Sequence, residues 1–239
     1  MRRRVILVLF LGAFVGAAAW IPTVGKVGIY DVFTYDAYLV QTWDHFRMVI
    51  LAELIAIGLG VPLGILVTRP GFRWLSRPVV GVANIGQTVP SMAVIAIMAP
   101  VFGFGFESAL IALFVYGTLP VLRNAYAGIN SIDPAIIEAA KGMGMTRTQI
   151  ARRIELPLAR AVIMAGIRTS TVVLVGTAAL AVLVGGKGLG TMIFTGVLSR
   201  QALITLQGAS LLGAMAIVFD YLLESAEDWM TPRGLKVRR

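Results

Sequence analysis

The stretch Glu138–Arg160, EAAKGMGMTRTQIARRIELPLAR, interrupts a chain that is otherwise a series of apolar runs. Six basic residues fall between Arg123 and Arg160, in a sequence of 239 residues that is 58% hydrophobic and only 14% charged. The mean hydropathy is +0.85. Soluble domains average about half apolar and about a quarter charged, so this is the composition of a polytopic all-α membrane protein, and the basic stretch is a loop between spans. A formal charge of +9 in a soluble protein would suggest a nucleic-acid partner. In a membrane protein Lys and Arg collect in cytoplasmic loops, so membrane lipid is the expected contact and no nucleic acid is.

A helical span takes roughly 20 mainly apolar residues, and the sequence offers about six transmembrane helices. They are Val5–Ile21, Met48–Thr68, Val79–Phe102, Ser108–Leu122, Ala161–Val184 and Leu203–Leu223. All are read as helices because backbone facing lipid must satisfy its own hydrogen bonds. The alternation of a barrel strand is absent from the sequence. The first run follows Arg2–Arg4, and Ala17–Ala19 resembles a signal cleavage site. A retained anchor is favoured, since the rest of the chain is itself membrane-embedded. Tyr30, Phe33, Tyr35, Tyr38, Trp43 and Phe46 then form an aromatic-rich outer segment, either an interfacial belt or a docking surface for an external partner. The organisation expected is an anchor and outer segment over 1–46, a permeation domain over 47–224 containing a loop elbow at 133–158, and a basic tail over 225–239.

With both termini cytoplasmic, 16 of the 21 Lys and Arg lie on the cytoplasmic side, as the positive-inside rule requires. The chain has no cysteine and a single histidine, His45, which excludes disulfides, thiolate sites and multi-histidine zinc clusters. His45 is placed outside any span with no nucleophilic serine motif beside it, so an intramembrane hydrolase is disfavoured. The run Gly185–Gly190, GGKGLG, is not a phosphate loop: that pattern needs GxxxxGK[ST], and Gly188 follows Lys187. It is read as an outer turn. No catalytic, cofactor-binding or metal site is expected on this chain.

The basic loop reads as two short helices with a hinge. Asp133 caps the first, with Pro134 at the position where a missing N–H costs little. Gly142 and Gly144 supply a residue able to take positive φ. Thr146-Arg147-Thr148-Gln149 has capping-box spacing for the second helix, which is expected to stop near Pro157. Ile150 and Ile154 share a face. Such an elbow could rest on anionic headgroups or dock a protein.

The spacing of Glu138-Ala139-Ala140, Gly144, Ile154, Leu156 and Pro157 resembles the EAA motif of ABC importer permeases at every specified position. The likeness extends through NIGQTVPSMAVIAI (Asn84–Ile97), YGTLPVLRNAYAGI (Tyr116–Ile129), ELPLARAVIMAGIR (Glu155–Arg168) and GTAALAVLVGGKGLG (Gly176–Gly190). These strings are similar to permeases for glycine betaine, choline and related osmoprotectants, more than to amino-acid or sulfonate permeases. Lys187 departs from the GAGGLG-like run of that branch. The resemblance implies a type I ABC importer permease in the bacterial inner membrane, whose elbow is a coupling helix gripped by a cytoplasmic ATPase. It further implies two ABC ATPase subunits that bind ATP and Mg, a second permease chain, identical or paralogous, and an external substrate-binding protein. By the same resemblance Glu138 makes a polar contact with the ATPase and Gly144 is the turn.

Candidates for lining a translocation path are Asn84, Gln87, Thr88, Pro90 and Ser91, clustered in one span, and Glu53 within another. Broken polar segments line substrate paths in transporters, whereas helix–helix hydrogen bonding explains the same residues without transport. A charge at mid-bilayer costs about 2.5–3.5 kcal/mol on insertion scales, so Glu53 must face protein or water. If the helix runs on through Pro90, the Gly86 carbonyl is left open. Gly60 and Gly64 read as close packing, and Asp220 and Glu224 as solvated interfacial charges. An ion-coupled secondary transporter remains the rival class, but it gives the elbow no work.

Overall fold

The computed structural model describes residues 35–230. The expected anchor Val5–Ile21, the aromatics Tyr30 and Phe33, and the basic residues of the tail lie outside the described residues. In chain order the elements are α1 (Tyr35–Leu66), a 3-10 turn (Arg73–Leu75), α2 (Ser76–Gly86), α3 (Ser91–Phe102), α4 (Phe106–Asn130), α5 (Pro134–Gly142) and α6 (Arg147–Ile150). A π-helical turn (Ala151–Glu155), α7 (Leu156–Ala178), a second 3-10 segment (Ala179–Val184), α8 (Leu189–Leu198) and α9 (Ala202–Met230) complete them.

Four helical runs among the described residues are long and apolar enough to cross a membrane: Asp36–Leu66, Phe106–Asn130, Arg147–Val184 and Ala202–Trp229. The expected span Val79–Phe102 is not one helix. It is broken between α2 and α3 with a bend of 103°, and gives a fifth span only if both pieces are counted together. Pro90 explains the break. Its ring disfavours helical backbone in the residue before it, and it stands at the N-cap of α3 in an extended conformation, φ −57° and ψ 127°. The Gly86 carbonyl is therefore not left open; it accepts from the Val89 N–H at 3.2 Å.

Three other expectations change. The helix assigned to Met48–Thr68 begins at Tyr35, so Tyr38, Trp43 and His45 belong to it. His45 is fully buried within this span, its Nε2 lying 3.0 Å from the Val175 carbonyl. The inward face of this lead-in carries Tyr38 and His45, while Trp43 and Phe46 stay exposed. The short apolar helix α8, which starts within the Gly185–Gly190 run at Leu189, is a further element beyond the expected spans. Residues Ser225–Met230, expected as tail, continue α9.

Packing gathers the described chain into two compact units. One holds residues up to Ala52, Pro90–Phe114 and Thr171–Tyr221. Met48, Ile95, Leu113, Leu174 and Val184 anchor its main apolar cluster, and Tyr38, Leu189, Met192 and Leu211 a smaller one. The other unit holds Glu53–Val89, Val115–Ser170 and residues from Leu222 onward. Its core is Val121, Ala125, Ile129, Ala159, Ile163 and Ile167, with Ile57, Val61 and Ile65 of α1 packed against it.

In a bilayer the lipid is as apolar as the core, so helices associate through close packing and hydrogen bonds, and small residues mark the contacts. Gly64 fits that rule. A Cβ added there would lie 2.6 Å from the Leu122 carbonyl oxygen and 2.7 Å from the Ala125 Cβ. The Gly60–Gly64 pair is close packing of α1 on α4.

Candidate functional site

The elbow is built by local chemistry, nearly all of it within a few residues. Asp133 Oδ1 accepts from the Ala135 N–H at 2.9 Å, and Pro134 opens α5. At the other end Gly144 takes φ +78°. Its N–H donates to the Lys141 carbonyl at 2.9 Å, and the Met145 N–H to the Ala140 carbonyl at 3.1 Å. This pair of bonds is a Schellman closure, with glycine at the left-handed position that a side chain would strain. Gly142 stays helical, as the last residue of α5.

Thr146 then starts α6. Its Oγ1 accepts from the Gln149 N–H at 3.3 Å while its own N–H donates to Gln149 Oε1 at 2.8 Å, the reciprocal capping box read from the sequence. Thr146→Ala removes half of it and is expected to cost about 1 kcal/mol of local stability. Faster tryptic cleavage at Lys141 or Arg147 in intact membranes would show this, and unchanged cleavage would contradict it.

The second helix does not stop near Pro157. It runs on as the π turn into α7, with Pro157 as the second residue of α7. An α-helix through this point would press the proline ring onto the Arg153 carbonyl. The π turn relieves the clash by inserting one residue: the Leu156 N–H reaches back five positions to the Ala151 carbonyl. Proline here widens the helix instead of ending it.

Glu138, Ala139 and Gly144 are exposed, Met143 is 73% exposed and Ile136 43%. Ala140 is completely buried and Ile150 nearly so, so these two hold the elbow together from inside. Ile154 and Pro157 are half-buried and Leu156 is 37% exposed. Glu138 makes no hydrogen bond or ion pair with any described residue. The elbow therefore presents a carboxylate, a small flat alanine and a bare methionine to whatever lies against it. Met143 was not singled out in the sequence; its place at the end of α5, seven residues beyond Ile136 and so on the same helical face, was the available signal.

The path candidates separate. Asn84 is exposed on α2, and Gln87 follows that helix with its Nε2 buried and lacking a hydrogen-bond partner among the described residues. Thr88 spends its hydroxyl on the Ile85 carbonyl at 2.7 Å. Pro90 and Ser91 cap and open α3. Glu53, 5% exposed, stands 2.7 Å from Ser170 Oγ, which also lies 2.9 Å from the Gly117 carbonyl. That arrangement joins α1, α4 and α7 through one buried polar knot and favours the helix-bridging role. Glu224, read as solvated, lies 3.4 Å from Arg168 of α7, with both side chains mostly covered.

The elbow lies within a match to the family described as binding-protein-dependent transport system inner membrane component, over residues 60–234. The chain belongs to that family. The permease is 42% identical to the choline transport system permease protein OpuBB of Bacillus subtilis, over 83% of this chain and 90% of that protein. It is equally similar, 42% over the same shares, to the glycine betaine/carnitine/choline transport system permease protein OpuCB of that organism. The osmoprotectant import permease protein OsmW of Salmonella typhimurium is 38% identical over 82% of this chain and 92% of its own. Among solved structures, an inward-facing conformation of the MetNI methionine ABC transporter superposes with a TM-score of 0.74 at 25% identity, covering 82% of this chain and 96% of that one. The permease is thus a multi-pass inner-membrane component with the fold of type I ABC importer permeases.

Proposed function

We propose that this permease is one half of the membrane path of an ATP-driven importer for a small quaternary-ammonium osmoprotectant such as choline or glycine betaine. The observation that carries the mechanism is the exposed, self-capped elbow on which the Glu138 and Ala139 side chains are exposed, Glu138 with no hydrogen bond or ion pair to any described residue. Such a surface is rigid before it is gripped, so a partner spends no ordering entropy on it. The partner is a pair of cytoplasmic ATPase subunits that bind ATP and Mg; no sequence pattern in this chain forms a phosphate loop. Both termini lie on the same cytoplasmic side as the elbow, in agreement with the distribution of basic residues.

The cycle has three movements. An external binding protein delivers the solute, ATP-driven closure draws together the elbows of two permease chains, and the long helices tilt to open the path outward. Hydrolysis resets them. Along the path, Asn84 and the Gln87 amide offer hydrogen bonds to a carboxylate or hydroxyl, close to the break where the helix is already interrupted. Quaternary ammonium groups favour aromatic cages, and the aromatics the described spans bring together, Trp43, Phe46 and Phe219, stack face to face on one another instead of enclosing a cavity, so selectivity resides mainly in the binding protein.

The test is uptake in proteoliposomes of the complete transporter, with its own binding protein and then with one of different preference. Specificity is expected to follow the binding protein and to require ATP. Unchanged specificity after the exchange would contradict the assignment of selectivity, and uptake driven by an ion gradient without ATP would contradict the importer.

A further inference from the structure

The elbow is covalently continuous with α4, through Asn130–Pro134, and with α7, through the π turn. It does not adjoin α1 in sequence, being joined to it only by way of α2, α3 and α4. Yet α1 carries Glu53 and leads through the Arg73–Leu75 turn into α2, the helix that bears Asn84 and is followed by Gln87. Along the chain a movement that begins at the elbow reaches these residues only by way of α4 and α3, and directly only across a non-covalent contact.

The structure supplies such a contact. Arg69, three residues past the end of α1, places Nη1 2.6 Å from Glu155 Oε2. Glu155 is the last residue of the π turn and is 9% exposed. Its Oε2 has no aligned hydrogen bond, so the attraction is Coulombic between charges held together by the backbone around them. Arg69 is fixed by the turn that closes α1, in which its N–H donates to the Leu66 carbonyl at 3.0 Å and its carbonyl accepts from Phe72 at 2.9 Å. One turn before Arg69, Ile65 packs into the same apolar cluster as Ala159, one turn beyond Glu155. The ion pair therefore closes the end of the α1–α7 contact nearest the elbow.

The π turn is what aims Glu155. One inserted residue rotates everything beyond it by about 100° around the helix axis. In an unbroken α-helix from Arg147, Glu155 would point elsewhere. The proline that forces the insertion and the acid that uses it are two residues apart.

We propose that Arg69 and Glu155 are positioning residues that form a closed strut, carrying elbow movement into α1 and α2 while ATP hydrolysis proceeds in the partner. The inference rests on the proposed importer function and adds to it the route by which force reaches a helix the elbow does not adjoin in sequence. Neither residue touches ATP in this account, so their loss separates hydrolysis from transport.

The experiment measures solute uptake per ATP hydrolysed by the whole transporter in proteoliposomes. Arg69→Gln and Glu155→Gln are each expected to lower that ratio at least fivefold, with hydrolysis itself within about twofold of the unaltered complex. Arg69→Lys, which keeps the charge and guards against misfolding of the neutral variants, is expected to retain at least half the ratio. The exchanged pair R69E/E155R is expected to regain at least half of what either single reversal loses. Singles that transport at the unaltered ratio would overturn the strut, as would an exchanged pair no better than its parents, since a merely structural site is not rescued by swapping charges. Failure of the unaltered complex to show ATP-dependent uptake would instead overturn the importer reading, and the strut with it.

Discussion

Glu138→Lys is expected to leave the permease inserted and assembled in normal amount while reducing ATP-dependent uptake by tenfold or more. Glu138 is exposed and makes no hydrogen bond or ion pair with any described residue, so its replacement costs the fold almost nothing; exposed substitutions of this kind lie within about 0.5 kcal/mol of neutral. A reversed charge at a docked, desolvated contact costs several kcal/mol. The two magnitudes differ enough that fold and coupling should separate cleanly. Gly144→Val reaches the same end by another route. A β-branched residue at φ +78° carries strain of about 1–3 kcal/mol, which the elbow relieves by opening its Schellman closure and turning Glu138 and Ala139 away. Uptake and ATP hydrolysis measured side by side check both variants, and undiminished uptake in both would count heavily against the elbow as the coupling element.

The second large effect belongs to Gly190 and concerns stability. A Cβ there would stand 1.9 Å from the Ala179 carbonyl oxygen and 2.7 Å from its carbon. Both are backbone atoms of the 3-10 segment and cannot rotate aside. Overpacking a well-filled site costs about 1–3 kcal/mol, and more where the neighbour is fixed. Gly190→Ala is therefore expected to sharply lower the amount of permease recovered from membranes and its melting temperature in detergent. The turn before it is held from α1: Gln41 Oε1 accepts from the Gly188 N–H at 2.9 Å, and His45 packs against Gly188. Lys187 in the same run is exposed, so the residue that departs from the family's pattern stands where a side chain is tolerated. Recovery and melting indistinguishable from the unaltered protein would contradict the close approach.

What the sequence disclosed depended on how local the cause was. Asp133, Pro134, Gly144, Thr146 and Gln149 were each legible because a cap, a left-handed turn or a capping box is decided within four residues. The spacing of Glu138, Ala139, Ala140, Gly144, Ile154, Leu156 and Pro157 added the family. Proline was read correctly at Pro134, where the backbone alone decides. Pro90 breaks the span expected to run unbroken through Val79–Phe102, whereas Pro157, expected to end its helix, is absorbed by a π turn. His45 was misplaced because an aromatic-rich lead-in resembles an interface until its partners are known, and those partners, Val175 and Gly188, are far along the chain. The Arg69–Glu155 pair and the Glu53–Ser170 contact were beyond reach for the same reason. Small-residue spacing at Gly60 and Gly64, by contrast, announced a close approach without naming the helix approached.

The claim beneath all of this is that a separate ATPase grips the elbow, and a single cysteine tests it most directly. The chain has no cysteine of its own, and Ala139 is exposed where Ala140 is buried, so Ala139→Cys gives this chain a single thiol, at an exposed position. With a short thiol-directed photocrosslinker in the assembled transporter, the expected product is a covalent adduct to the ATPase subunit, with a yield that changes when ATP is bound. A complex that stays intact and active yet never joins position 139 to an ATPase would contradict the account.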